Sequence, residues 1–226
     1  APIAGVIFAH EAILRHFSMR AIAPITVASI SASALGNFWF PNTASLDIGV
    51  AVPSLSEVVP TLMLLAPIFS MVAIVFMLSL RQASELANQV NLSPTGLLFM
   101  GATICGLVGV WIPETLGLGI SSMNQMIAGE FALSLLITVL VAKILMTALC
   151  LSCGLAGGMF SPALFVGVAT GALAGQVLTL ASFADIASII SVAAMAAVSS
   201  AVIGAPLAAV MIVLELTQSY QYAVAA

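Results

Sequence analysis

The 226-residue chain is 62% hydrophobic and 5% charged, with a mean hydropathy of +1.27. Four basic and eight acidic side chains leave a net charge of −4. A soluble domain carries about 25% charged residues to cover its surface, so this composition excludes one, and it offers no basic face for nucleic acid. The solvent is lipid.

Taken in chain order, apolar stretches run over 1–14, 21–40, 57–80, 96–113, 131–153, 159–181, 186–203 and 205–217. A bilayer core of about 30 Å needs roughly 20 apolar residues per helical span. Several stretches fall short of that, and many contain Gly or Pro. In lipid, broken helices persist only where protein or a watery cavity satisfies the freed backbone groups. The pattern predicts an all-α integral membrane bundle of tilted and broken helices, the architecture of a multi-pass transporter or channel. Arg15, Arg20 and Arg81 are too few to orient it by the positive-inside rule.

Lys143 is a lone cation inside the apolar run 131–153. A charge at that depth is a candidate for function, but snorkelling along its stem or pairing is the favoured reading. Cys150 and Cys153 form a C-x-x-C, which is read as small residues at a helix contact, since no His/Cys cluster completes a metal site. Ala1-Pro2 is neither a start methionine nor a signal peptide. Both ends look cut, and a fragment of a longer protein is expected.

An internal repeat organises the chain. Residues 1–11 read APIAGVIFAHE and residues 205–215 read APLAAVMIVLE; Ala, Pro, Ala, Val and Glu coincide, each displaced by 204 positions. A repeat of this span in a membrane protein marks a duplicated fold, often of inverted topology. The chain then divides into the end of a first repeat, 1–80, and most of a second, 81–226. Glu11 and Glu215 occupy equivalent positions near helix ends, and their symmetry favours a structural role such as accepting backbone N–H bonds over proton transport.

The stretch before the second copy is SCGLAGGMFSPALFVGVATGALAG, residues 152–175. Gly154, Gly157 and Gly158 precede Phe160-Ser161-Pro162. Pro suits a first helical turn, and Ser is a good cap beside it. The reading is a Gly-rich approach to a helix N-terminus inside the membrane. Such a terminus carries unpaired N–H groups and about half a positive charge, and so attracts an anion with no cationic side chain. Partial charges also let the anion leave. The competing reading makes these glycines mere packing residues like Gly167, Gly171 and Gly175.

GGMFSP at 157–162 resembles the G-x-F-x-P element of the CLC chloride channel and transporter family. AVIGAPLAAVMIVLELTQSYQ at 201–221 is similar to that family's later APL…EMT…YQ helix, and APIAGVIFAHE to the matching helix of its first half. WIPETLGLG at 111–119 and KILMTALCLSCGLAGG at 143–158 also fit. The resemblance implies a homodimer of inverted-repeat subunits, each with its own anion pathway. It implies a chloride ion bound at Gly158, Met159 and Phe160, held by the backbone amides of Met159 and Phe160, with Phe160 lining the path and Gly157, Ser161 and Pro162 supporting it. It implies no metal and no other cofactor, and a cell-membrane location.

By the same resemblance, the serine loop and the gating Glu lie before Ala1, and the tyrosine at the inner end lies beyond Ala226. Tyr220 and Tyr222 come too early to be that residue. Proton-coupled members carry two carboxylates at the end of the first helix, whereas this chain reads Glu11-Ala12. Ala12 has no proton to relay, which favours passive conduction over chloride/proton exchange. His10 is titratable nearby but is read as a capped or interface histidine, and His16 as an interface residue beside Arg15. The expected function is transport of chloride or similar small anions. The alternative is a sodium-coupled carrier of an organic anion. An enzyme is not expected, because no Gly-x-Ser-x-Gly or His-Glu-x-x-His pattern occurs.

Overall fold

A computed structural model describes residues 2–39, 46, 55–180 and 186–218. Tyr220 and Tyr222 lie outside the described residues. Helix α1 (Pro2–Phe8) continues as a π-helical turn over Ala9–Leu14; then come α2 (Met19–Trp39), α3 (Leu55–Gln89) and α4 (Pro94–Trp111). A 3₁₀ turn (Pro113–Thr115) and α5 (Ile120–Ile127) lead to α6 (Leu133–Ser152), α7 (Phe160–Leu180), α8 (Ala187–Ile203) and α9 (Pro206–Thr217). No strand occurs among the described residues. Five helices, α2, α3, α4, α6 and α7, are long and apolar enough to cross a bilayer, while α1, α8 and α9 are short apolar pieces.

The helices follow the apolar stretches closely, except that α3 runs nine residues past its stretch, to Gln89, and one helix is an addition. Helix α5 interrupts its apolar residues with Ser121, Ser122, Asn124 and Gln125, so a count of apolar runs passes over it. Its Met123, Met126 and Ile127 are nevertheless buried. The 35 residues of α3 span about 52 Å at 1.5 Å per residue. That exceeds the bilayer core of about 30 Å, so the helix tilts or extends beyond it.

The centre of the molecule is the α7–α8 pair. Gly167, Gly171 and Gly175 of α7 lie directly on α8, where an added Cβ would come within 2.6 Å of the Ala194 carbonyl, the Ile190 carbonyl and the Ala187 Cα respectively. Small residues spaced by four thus bring the two backbones together, as expected of a packing stripe in lipid. Polar side chains in this dry core turn back on their own helices. The hydroxyls of Thr170, Ser191 and Ser199 each donate at 2.7 Å, to the carbonyls of Val166, Ala187 and Met195. A hydroxyl satisfied this way costs little to bury.

The two copies of the repeat meet. The Glu215 carboxylate at the end of α9 accepts from the backbone N–H of Ile3 and Ala4, both at 2.9 Å. The Glu11 carboxylate accepts from Leu207 N–H at 3.0 Å and Ala208 N–H at 2.7 Å. Each contact maps onto the other by the same displacement of 204 positions. The start of each segment therefore lies against the end of the other, and the two run antiparallel about a two-fold relation. Both acids serve as caps on the partner copy's unpaired first-turn amides, the structural role that their symmetry suggested.

Candidate anion site at the start of helix α7

Helix α6 ends at Ser152, and Gly154 takes the left-handed conformation (φ 82°) that lets the chain leave it. Residues 155–159 are non-helical, and α7 begins at Phe160, with Ala163 N–H donating to the Met159 carbonyl at 3.0 Å. Met159 is thus the N-cap. Ser161 does not cap the helix: it sits inside the first turn, and its hydroxyl donates to the Leu118 carbonyl at 3.4 Å. The helix starts earlier than a serine cap would place it, and its first residue, Phe160, packs edge-on against Phe8 of α1, with ring centroids 5.4 Å apart. The N–H groups of Met159 and Phe160 precede the first intrahelical bond, and no partner for them is found among the described residues.

The two classes of glycine now separate. A Cβ added at Gly154, Gly157 or Gly158 would meet nothing within 4 Å, unlike one added on the α7–α8 stripe. These three are not packing residues. Gly157 and Gly158 border a cavity of about 750 Å³, together with Phe160, Ser161 and Pro162. Met159 is exposed and does not line the cavity.

The same cavity contains Lys143. It does not snorkel. Only 3% of it is exposed, and its ammonium donates to the Thr115 carbonyl at 2.7 Å and the Gly117 carbonyl at 3.0 Å. It also stands over the Phe165 ring, 4.6 Å from the centroid. Its partners are therefore carbonyls of the 111–119 segment, and no carboxylate lines the cavity among the described residues. The Lys143 side chain and a helix N-terminus border one space lined by no carboxylate among the described residues, an environment that draws anions. Its place as the lone lysine of an apolar run was the available signal for a functional role; of the favoured readings, snorkelling or pairing, the structure shows pairing.

Ala12 lies apart from this cavity, in the π-helical turn that follows α1. His10 is buried and held, its Nδ1 2.9 Å from the Val6 carbonyl and its Nε2 3.4 Å from the Ser18 carbonyl, with its ring stacked on Phe17. It acts as a cap. His16 is exposed, with Nδ1 2.8 Å from the Leu14 carbonyl.

A sequence model of the family described as "Voltage gated chloride channel" matches residues 1–226. The chain belongs to the voltage gated chloride channel family. It is a multi-pass integral membrane protein with the inverted-repeat helical fold of that family. Among solved structures it is similar to a slow cyanobacterial Cl⁻/H⁺ antiporter, with a TM-score of 0.83 and 21% identity, covering 100% of this chain and 54% of that one. It is also similar to a CLC-type fluoride/proton antiporter, with a TM-score of 0.79 and 22% identity, covering 99% of this chain and 56% of that one. The chain thus spans little more than half the length of either. At such identities the likeness speaks for the shared fold.

Proposed function

We propose that the chain is part of a transport domain that moves chloride or similar small anions across a membrane, and is not an enzyme. The observation that carries this reading is the pairing of the α7 N-terminus with the Lys143 ammonium on one cavity, bounded by Gly157 and Gly158 and lined by no carboxylate. The anion is held by the N–H groups of Met159 and Phe160, while Gly158 leaves room for its approach. Pro162 has no N–H to offer, and Ser161 ties the first turn to the Leu118 carbonyl. Stripping water from an anion takes several partial charges converging on it. Phe8, packed on Phe160, places the first repeat's helix beside the site, consistent with a pathway between inverted halves.

The domain works as a homodimer with one pathway per subunit, as the family resemblance implies, and chloride is its bound ion. Ala12 stands where proton-coupled members carry a relaying carboxylate, so passive conduction is the favoured mode and exchange with protons the second. A sodium-coupled organic-anion carrier is not favoured, because family membership points to inorganic anions.

The experiment is halide efflux from liposomes containing the full-length protein, with pH recorded and sodium present or absent. Sodium-independent chloride efflux is the expected result, and bromide in crystals of that protein should sit at the Phe160 N–H. Efflux that requires sodium, or bromide bound only elsewhere, overturns the reading.

A further inference from the structure

The cavity also exposes a pair of sulfurs that the anion site does not use. Cys105, midway along α4, and Cys150, in the last turn of α6, place their Sγ atoms 3.1 Å apart, and both are free thiols. Both are half-buried and line the cavity of about 750 Å³. The C-x-x-C in the sequence names the wrong partner. Cys153 is 3% exposed and fills the space over Gly101, where an added Cβ would meet Cys153 Cβ at 2.6 Å. It is a packing residue, while Cys150 turns the other way, toward Cys105.

We infer that Cys105 and Cys150 are a dithiol site that small disulfides entering this cavity oxidise to an intramolecular bond. A disulfide needs its sulfurs about 2.05 Å apart, so closure asks for an approach of about 1 Å, within reach of side-chain rotation. One thiol loses its proton, and its sulfur attacks one sulfur of the entering RS–SR. The S–S bond of the reagent breaks, and the departing RS⁻ takes that proton. The second cysteine loses its proton in turn and attacks its partner's sulfur in the mixed disulfide, expelling the second RS⁻, which takes that proton. The cysteines give up two electrons and two protons, and RS–SR becomes two RSH. The bond ties α4 to the end of α6, from which the chain passes through Gly154 to the start of α7. The site stands on this geometry alone and is independent of the transport reading.

Trypsin reads the outcome directly, because it cleaves after Arg81 and Lys143 and so puts Cys105 in peptide 82–143 and Cys150 and Cys153 in the peptide that begins at Ile144. The full-length protein in lipid is treated with 2-hydroxyethyl disulfide, acid-quenched, denatured, alkylated with N-ethylmaleimide, digested and analysed without reduction. The expected result is the two peptides joined by a bond that a phosphine releases, with Cys153 alkylated. Cys105→Ser abolishes the link and Cys153→Ala retains it. Unlinked peptides in the wild-type protein, or a bond confined to Cys150 and Cys153, overturn the inference, and the wild-type digest decides the matter whether or not the variants fold.

Discussion

Glu11 and Glu215, equivalent residues of the two repeats, exchange caps: each accepts two backbone N–H bonds from the first turn of the helix to which the other belongs. Four amides that a helix start cannot satisfy internally are thereby paired, and each carboxylate lies at the positive end of a helix dipole. The exchange ties α1 to α9, one helix from each repeat. It also shows that an acid in an apolar chain need not be a transport residue.

The caps set a stability prediction. Glu11→Ala and Glu215→Ala each lose about 1.5–3 kcal/mol, the scale of hydrogen bonds to a charged group. Because they cap opposite ends, their effects add within about 0.5 kcal/mol. Thermal unfolding of the full-length protein in detergent measures both. Unchanged melting in either variant would mean that the carboxylates make no such bonds in lipid or detergent.

The two glycine classes should respond in opposite ways. Gly171→Ala drives a methyl into the α8 backbone, 2.6 Å from the Ile190 carbonyl, and loses about 1–3 kcal/mol. Gly158→Ala meets nothing within 4 Å and stays within about 0.5 kcal/mol of wild type, yet lowers chloride flux by narrowing the approach to the amides. Melting and efflux measured side by side separate packing from transport. Equal melting losses would return Gly158 to the packing class.

Lys143→Met removes the cavity's charge and leaves the Thr115 and Gly117 carbonyls without their donor. The expected loss is about 1–3 kcal/mol in stability, together with reduced anion flux. Lys143→Arg restores a cation and recovers flux more fully than stability, because its planar fork fits the two carbonyls less well. If both variants transport as wild type, the ammonium serves the 111–119 segment alone.

Proton coupling tests Ala12. The full-length protein in sealed vesicles should show weak or absent chloride-driven proton movement, and Ala12→Glu is the companion variant. Uphill proton pumping at fixed stoichiometry by the wild type would contradict the assignment and direct attention to His10 or a water wire. The introduced carboxyl is costly in lipid and tends to stay protonated, so folding is checked first by gel filtration in detergent.

By itself the sequence determined the class and the elements: a lipid-solvated, all-α chain whose apolar stretches became helices, most within a few residues and α3 running nine residues further, to Gln89, because hydrophobic length is what a bilayer reads. It also determined the repeat and, to within two residues, the start of α7, since Pro162 is preset for a first helical turn while the glycines before it are poor helix formers. The amphipathic α5 was not legible there, because its polar residues break the apolar count although one face is buried. Only the tertiary structure decided the partners. Cys150 meets Cys105 rather than Cys153, three residues on, Lys143 finds two carbonyls rather than the membrane surface, and Gly157 and Gly158 border open space while Gly171 touches α8. The physical reason is range. Hydropathy, helix starts and glycine conformation are fixed by a few adjacent residues, whereas a buried charge, thiol or glycine takes its meaning from whichever distant helix lies across from it.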